Sequence, residues 1–175
     1  ILRRLDVSNR AQVAAWIDEV APGFAAVDTH RDDIALVAFT SGTTGNPKGC
    51  IHYHRDVLAA ADSFARHVLK PKPGDRWACS APIAFTFGLG MLLIFPWRSG
   101  GTAVTIETPG PGPLLDAIAR HRVTNLATAP TAYKAMIPML AEHDISSLRT
   151  CVSAGEHLPA ATWHAWREAT GIRIV

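Results

Sequence analysis

Residues 34–49 read Ile34-Ala35-Leu36-Val37-Ala38-Phe39-Thr40-Ser41-Gly42-Thr43-Thr44-Gly45-Asn46-Pro47-Lys48-Gly49. The run Ile34 to Phe39 is apolar and short, the length of a buried strand. Thr40 to Gly45 are all Ser, Thr or Gly, in unbroken succession. Beyond them, Arg55 to Leu69 carries Val57, Leu58, Ala61, Phe64, Ala65, Val68 and Leu69 on a helical stripe. The order predicted is strand, polar loop, helix. Loops of that kind, at the C-terminal ends of parallel strands, are where α/β sheets bind ligands.

The loop has the chemistry of a polyphosphate cradle. Glycines allow a sharp turn and close approach to an anion. Successive backbone N–H groups can form an anion nest. Thr40, Ser41, Thr43 and Thr44 add hydroxyl donors, and Lys48 adds a point charge suited to phosphate. A plain Gly/Ser/Thr surface loop shares this composition, but the Pro47-Lys48-Gly49 ending and the strand-to-helix setting weigh against it. A Walker A loop needs Gly before its lysine and Ser or Thr after. Here Pro47 precedes Lys48 and Gly49 follows, so that motif is excluded.

The rest of the chain alternates in the same way. Helical spacing appears over Ala11 to Val20, Gly88 to Pro96, Leu114 to His121, Pro130 to Glu142 and Leu158 to about Thr170. Strand patterns appear at Trp77 to Ser80, Thr102 to Ile106, Thr124 to Thr128 and Leu148 to Ser153. Gly171 to Val175 reads as a further strand beginning. Pro138 should kink or end its helix, and Pro109 to Pro113 reads as a rigid loop. Alternation of this kind predicts an α/β fold: a mainly parallel sheet with flanking helices.

Composition bounds the function. The chain has 175 residues, 48% of them hydrophobic and 18% charged, which is globular and able to form a core. Lys plus Arg is 17 and Asp plus Glu is 15, a formal charge of +2, so no nucleic-acid footprint is expected. The longest apolar stretch, Phe85 to Trp97, is broken by Gly88, Gly90 and Pro96 and is too short to span a bilayer, so no membrane partner is expected. Cys50, Cys79 and Cys151 are odd in number and widely spaced, which points to free, buried thiols in a reducing compartment. The first residue is not Met, and both ends look cut from a longer chain.

Thr40 through Gly49 resembles the signature loop of the adenylate-forming superfamily: acyl-CoA synthetases, peptide-synthetase adenylation domains and beetle luciferases. Three further segments are similar. Ala81-Pro82-Ile83-Ala84-Phe85-Thr86-Phe87-Gly88-Leu89-Gly90 looks like its aromatic gate, and Asn125 to Tyr133, with Ala129-Pro130-Thr131, like its strand-plus-helix. Ser153-Ala154-Gly155-Glu156-His157-Leu158-Pro159 looks like its adenine-contacting turn. These versions are most similar to aryl-CoA ligases of the benzoate and 2-aminobenzoate kind.

The resemblance implies that residues 1–175 are part of the large N-terminal domain, without its earlier N-terminal part or its C-terminal lid. It implies an ATP-dependent activation of a small carboxylic acid, aromatic in kind, to an acyl-adenylate, then to a CoA thioester. Thr40, Ser41, Gly42, Thr43, Thr44, Gly45 and Lys48 would hold the phosphates. Gly155, Glu156 and His157 would line the adenine, and Phe87, Gly88, Leu89 and Gly90 the acyl pocket. Mg2+ is implied too, with its carboxylate ligand expected beyond Val175 and no metal site in the chain itself. Without that ligand and the lid, the 175 residues alone are expected to be inactive, marginally stable and association-prone. A cytoplasmic location is expected, given ATP, CoA and free thiols. Two other readings stand beside this one: a non-catalytic nucleotide-binding module, and an adenylation domain loading a carrier protein. A third, a structural α/β domain whose loop binds nothing, differs from both in its ATP binding. Oligomeric state is not readable.

Other residues have plainer readings. Phe87 on composition alone is core, and Glu156 suits a helix N-terminus. His52 and His54 form a His-x-His pair with only Asp56 near, more in keeping with packing or capping than with a metal. Arg66, Lys70 and Lys72 read as a solvated surface, with a CoA-phosphate contact conceivable. Trp163 and Trp166 are expected to pack, Tyr133 to reach the pocket, Asp75 to sit in a turn and Asp116 near a helix N-terminus.

Overall fold

The computed structural model describes residue 23 and residues 27–40 and 46–175. The helix expected over Ala11 to Val20 and the loop residues Ser41 to Gly45 lie outside these. The chain divides into two compact units, Ile1–Asp56 and Val57–Val175.

In the first unit, β1 (Ile34–Thr40) pairs antiparallel with β2 (Lys48–Tyr53). This corrects the expected strand-to-helix setting of the loop: Lys48 opens a second strand. Ile51 and Tyr53 favour a pleated backbone, and the ladder satisfies backbone groups that a free segment would leave to water. The helix α1 (His54–Ala60) starts directly after β2. Asp56 supports that start, its carboxylate accepting the Tyr53 N–H at 2.9 Å. His52 therefore sits on the strand and His54 at the first helical position. Among the described residues no three His, Cys, Asp or Glu side chains cluster as metal ligands would.

The second unit is built on a parallel sheet of β3 (Arg76–Cys79), β4 (Thr102–Val104), β5 (Asn125–Thr128) and β6 (Thr150–Ser153), in the order β4-β3-β5-β6. Ile174 adds a parallel bridge to Cys151 on the outer side of β6. Helix α1 continues with π-helical spacing over Ala61–Leu69. After β3 come α2 (Thr86–Leu89), a π-helical stretch (Gly90–Ile94) and α3 (Phe95–Ser99). Then follow α4 (Pro111–His121), α5 (Pro130–Met136) and α6 (Ala160–Thr170). Pro138 has its expected effect, since α5 tightens to 3-10 geometry over Ile137–Glu142. The loop expected at Pro109 to Pro113 is shorter, because α4 begins at Pro111, where the fixed φ of proline suits the first helical turn.

Period-two alternation explains why both faces of the sheet are covered. Ala78, Leu126 and Cys151 point to one side, into a core with Leu114, Leu115, Ile118, Tyr133, Met136 and Trp166. Their strand neighbours Trp77, Cys79, Ala127 and Val152 point to the other, against Ala65, Leu69, Met91 and Leu92. A sheet buried on two faces is the parallel α/β arrangement. Tyr133 and Trp166, both fully buried, meet edge to face with centroids 4.7 Å apart. Such a pair is worth about 0.5–1.5 kcal/mol beyond its buried area.

Asp75 does more than turn the chain. It is buried just before β3, ion-paired with Arg149, and accepts the Lys72 N–H at 2.7 Å and the Thr124 hydroxyl at 3.1 Å. Burial pushes its carboxyl up, but the Arg149 hydrogen bond, the Lys72 N–H and the Arg149 charge together hold it below its ordinary range. It fastens the entrances of β3, β5 and β6, the end of the sheet away from the candidate site.

Candidate functional site

The C-terminal ends of three neighbouring strands carry hydroxyls in register. Thr128 of β5 faces Ser153 of β6, and Ser80, next after β3, reaches Thr128 with oxygens 2.7 Å apart. Each strand then turns into a segment expected to carry function, which is the general placement of ligand sites in such sheets.

After β6 the chain turns through Ala154, Gly155, Glu156 and His157. Gly155 has φ of +89°, a conformation that side chains rarely adopt. Glu156 is tied to the neighbouring segment: the Thr131 hydroxyl, in the first turn of α5, donates to Glu156 Oε1 at 3.3 Å. Gly155, Glu156 and His157 are exposed.

After β3, Phe85 enters α2 in extended conformation. Gly88 is buried so tightly that a Cβ there would lie 2.0 Å from the Pro82 carbonyl oxygen. A cavity of about 350 Å3 lies between this helix and the end of β6, lined by Phe87, Gly90, Met91, Val152, Ser153 and Ala154 among others. Of the four residues expected at an acyl pocket, Phe87 and Gly90 line it, whereas Gly88 and Leu89 do not. Helical geometry accounts for the split, because i, i+3 and i+4 (Phe87, Gly90, Met91) share a face. Met91, Val152 and Ser153 were missed from sequence. The helical spacing from Phe87 was a signal for Met91; nothing local marked Val152 or Ser153.

In the first unit, Thr40 and Lys48 are register partners, both exposed, one at each end of the segment 41–47. The other expected phosphate contacts, Ser41, Gly42, Thr43, Thr44 and Gly45, lie outside the described residues.

Tyr133 does not reach a pocket. It is fully buried, and its hydroxyl is shared between the Leu126 carbonyl at 3.1 Å and the Val152 carbonyl at 3.0 Å. Burial, reinforced by neighbouring Cys151, pushes its ionisation well above the ordinary range, so it remains a donor. It is a strut between β5 and β6. The thiols divide in the same way. Burial lifts Cys79 to about 11 and Cys151 to about 12, while Cys50, also free, is exposed rather than buried. Of the basic residues, Arg66 lines a smaller cavity of about 180 Å3 beside the Arg98–Asp62 pair, which is 2.9 Å long. Trp166 packs, and Trp163 donates its indole N–H to the Ile174 carbonyl at 2.9 Å.

Among the described residues no helix is long and apolar enough to cross a membrane. The family described as "AMP-binding enzyme" matches residues 2–175. The chain is 35% identical over 166 residues to a benzoate–CoA ligase of Thauera aromatica, covering 93% of this chain and 32% of that one. It is 36% identical over 149 residues to an anthranilate–CoA ligase of Pseudomonas aeruginosa, covering 83% and 28%. The crystal structure of an anthranilate CoA ligase in complex with anthranoyl-AMP superimposes with a TM-score of 0.78 at 40% identity, covering 91% of this chain and 32% of that one. The chain thus spans about a third of the length of the relatives it matches. With this fold, and a family match over almost every residue, the chain belongs to the AMP-binding enzyme family.

Proposed function

We propose that the protein carrying this chain is an AMP-forming ligase that activates an aromatic carboxylic acid with ATP and passes it to coenzyme A. A carboxylate oxygen attacks the α-phosphorus of ATP, the bond to pyrophosphate breaks, and an acyl-adenylate forms. The thiolate of CoA then attacks the acyl carbon and AMP leaves. Residues 1–175 are a portion of the large N-terminal domain in this reading.

The observation that carries it is the cavity at the C-terminal edge of the sheet. Phe87 offers a flat aromatic wall and Met91 an adaptable apolar one, beside the Ala154–His157 turn. Gly155, Glu156 and His157 take the adenine, largely through backbone atoms. Thr40, Lys48 and the loop between them take the phosphates, donors and positive charge there favouring departure of pyrophosphate. Phe87 and Gly90 contact the ring, while Gly88 and Leu89 shape the helix that presents them. Mg2+ belongs to the reading, but the described residues form no site for it. The need for ATP and CoA supports a cytoplasmic setting in this reading.

The test is ATP–pyrophosphate exchange across a panel of aromatic and aliphatic acids with the intact protein, followed by thioester formation with CoA. Exchange with benzoates and thioester product is the expected result. Exchange without thioester would favour a carrier-protein acceptor, and nucleotide binding without exchange would leave only a binding module.

A further inference from the structure

We propose that Phe95 is a specificity-determining residue: its ring forms the floor of the cavity and sets how long an apolar substituent the aromatic acid can carry opposite its carboxyl group. The inference rests on the reading above.

The helices after β3 run back along the sheet, from its C-terminal edge at Thr86 to Ser99, just before β4 begins at Thr102. Phe87 therefore stands at the mouth of the cavity, and Phe95 lies further in. Phe95 is half-buried. Its ring is held by Trp77 of β3, with centroids 6.4 Å apart, and by Phe64, with centroids 6.1 Å apart. The tip of the ring lies over Gly90, where an added Cβ would sit 3.2 Å from the Phe95 Cε2 and Cζ. Phe64, Gly90 and Phe95 all line the cavity, so the aromatic tip borders it. Among the described residues Phe95 is also the one residue shared with the smaller cavity of about 180 Å3. It stands between the two.

Volume and chemistry decide what reaches this floor. A cavity of about 150 Å3 is enough for benzene, whereas this one is about 350 Å3. A bare ring resting on Phe87 and Met91 leaves the space in front of Phe64 and Phe95 unfilled, and the lining there forgoes its contacts. No charged side chain of the described residues lines the cavity, so an apolar group suits that space. With the carboxyl group kept at the mouth for attack on ATP, the ring position facing Phe95 is position 4. An aromatic floor that is packed on three sides does not step aside for a group that is too long. The substrate class is therefore aromatic acids with a short apolar group at position 4.

The test compares kcat/KM in ATP–pyrophosphate exchange for benzoate and its 4-methyl, 4-ethyl, 4-butyl and 4-hexyl derivatives, using the intact protein and its Phe95→Leu and Phe95→Ala variants. In the parent, 4-methylbenzoate should equal or exceed benzoate, and 4-hexylbenzoate should fall about tenfold or more below it. Phe95→Ala should raise the ratio of the hexyl acid to benzoate by roughly 10- to 100-fold, and Phe95→Leu should raise it less. A ratio unmoved in both variants overturns the proposal. So does a parent that takes the hexyl acid as well as the methyl one, since the ring would then set no limit. Should Phe95→Ala not fold, Phe95→Leu decides by the same ratio. Tyr133→Phe, which loosens the sheet from its other face, separates general loosening from a lowered floor: it should leave the ratio where it is, and a shift equal to that of Phe95→Ala overturns the proposal. Exchange with none of these acids would remove the ligase reading and the proposal with it; exchange with an unmoved ratio removes only the role of Phe95.

Discussion

Thr40 and Lys48 are cross-strand partners in the β1–β2 ladder. Directly opposed residues of an antiparallel pair project to the same face. The first hydroxyl of the Ser/Thr/Gly segment and the lysine at its end are thus held side by side by backbone hydrogen bonds.

Lys48→Ala should weaken ATP binding by roughly 10- to 100-fold, the range expected for a charge-assisted hydrogen bond. Lys48 is exposed, so the melting temperature should hardly move. Calorimetric titration with ATP reads the first quantity and a thermal scan the second. Unchanged affinity would take the lysine off the phosphates.

Tyr133→Phe keeps the ring against Trp166 but removes the donor shared by Leu126 and Val152. A loss of about 1–3 kcal/mol in stability is expected from two buried carbonyls deprived of it. Because those strands end at Thr128 and Ser153, KM for the acid should rise more than kcat falls. Denaturant unfolding and steady-state kinetics together check this; an equal stability to the parent would deny the strut.

Stability should also depend on pH through Asp75. Its carboxyl is held below the ordinary 3.8 in the fold. Its contribution is therefore complete above that value and is lost as pH falls through and below it. Arg149→Ala should cost about 1–3 kcal/mol at neutral pH and flatten the acid-side decline. Denaturation midpoints taken between about pH 6 and about pH 3 would show both effects.

Gly88→Ala places a Cβ against the Pro82 carbonyl and should cost about 3 kcal/mol or more, since backbone cannot step aside as a side chain can. Gly155→Ala meets no atom within 4 Å and suffers only the positive φ, about 1–2 kcal/mol. Paired unfolding curves rank the two; the reverse order would deny the tight packing of α2.

Native protein should show one thiol, Cys50, reacting readily with a disulfide reagent at neutral pH. Cys79 and Cys151 are buried and protonated, near 11 and 12, and should react only after unfolding. Counting thiols with and without denaturant tests this directly.

Much of the second unit was legible in the chain itself. The α/β alternation, the stop at Pro138 and the packing of Trp166 follow from spacing and from proline chemistry, which act over a few residues. The segments that follow β5 and β6 were legible too, because the Ala-Pro-Thr and Ser-Ala-Gly-Glu stretches carry their chemistry locally. The strand Lys48 to Tyr53 was not legible for a physical reason: a six-residue strand owes its stability to its partner β1, and local propensity carries little of that pairing.

Tertiary structure alone decided the rest. Which of Phe87, Gly88, Leu89 and Gly90 line the cavity depends on how α2 is rotated against Pro82. The burial of Tyr133 with its bonds to two strands, and the ion pair from Asp75 to Arg149 seventy-four residues away, join residues far apart in the chain. Local sequence sets backbone preference and chemical inventory; which groups meet, and which polar atom is left without a partner, is set by long-range packing.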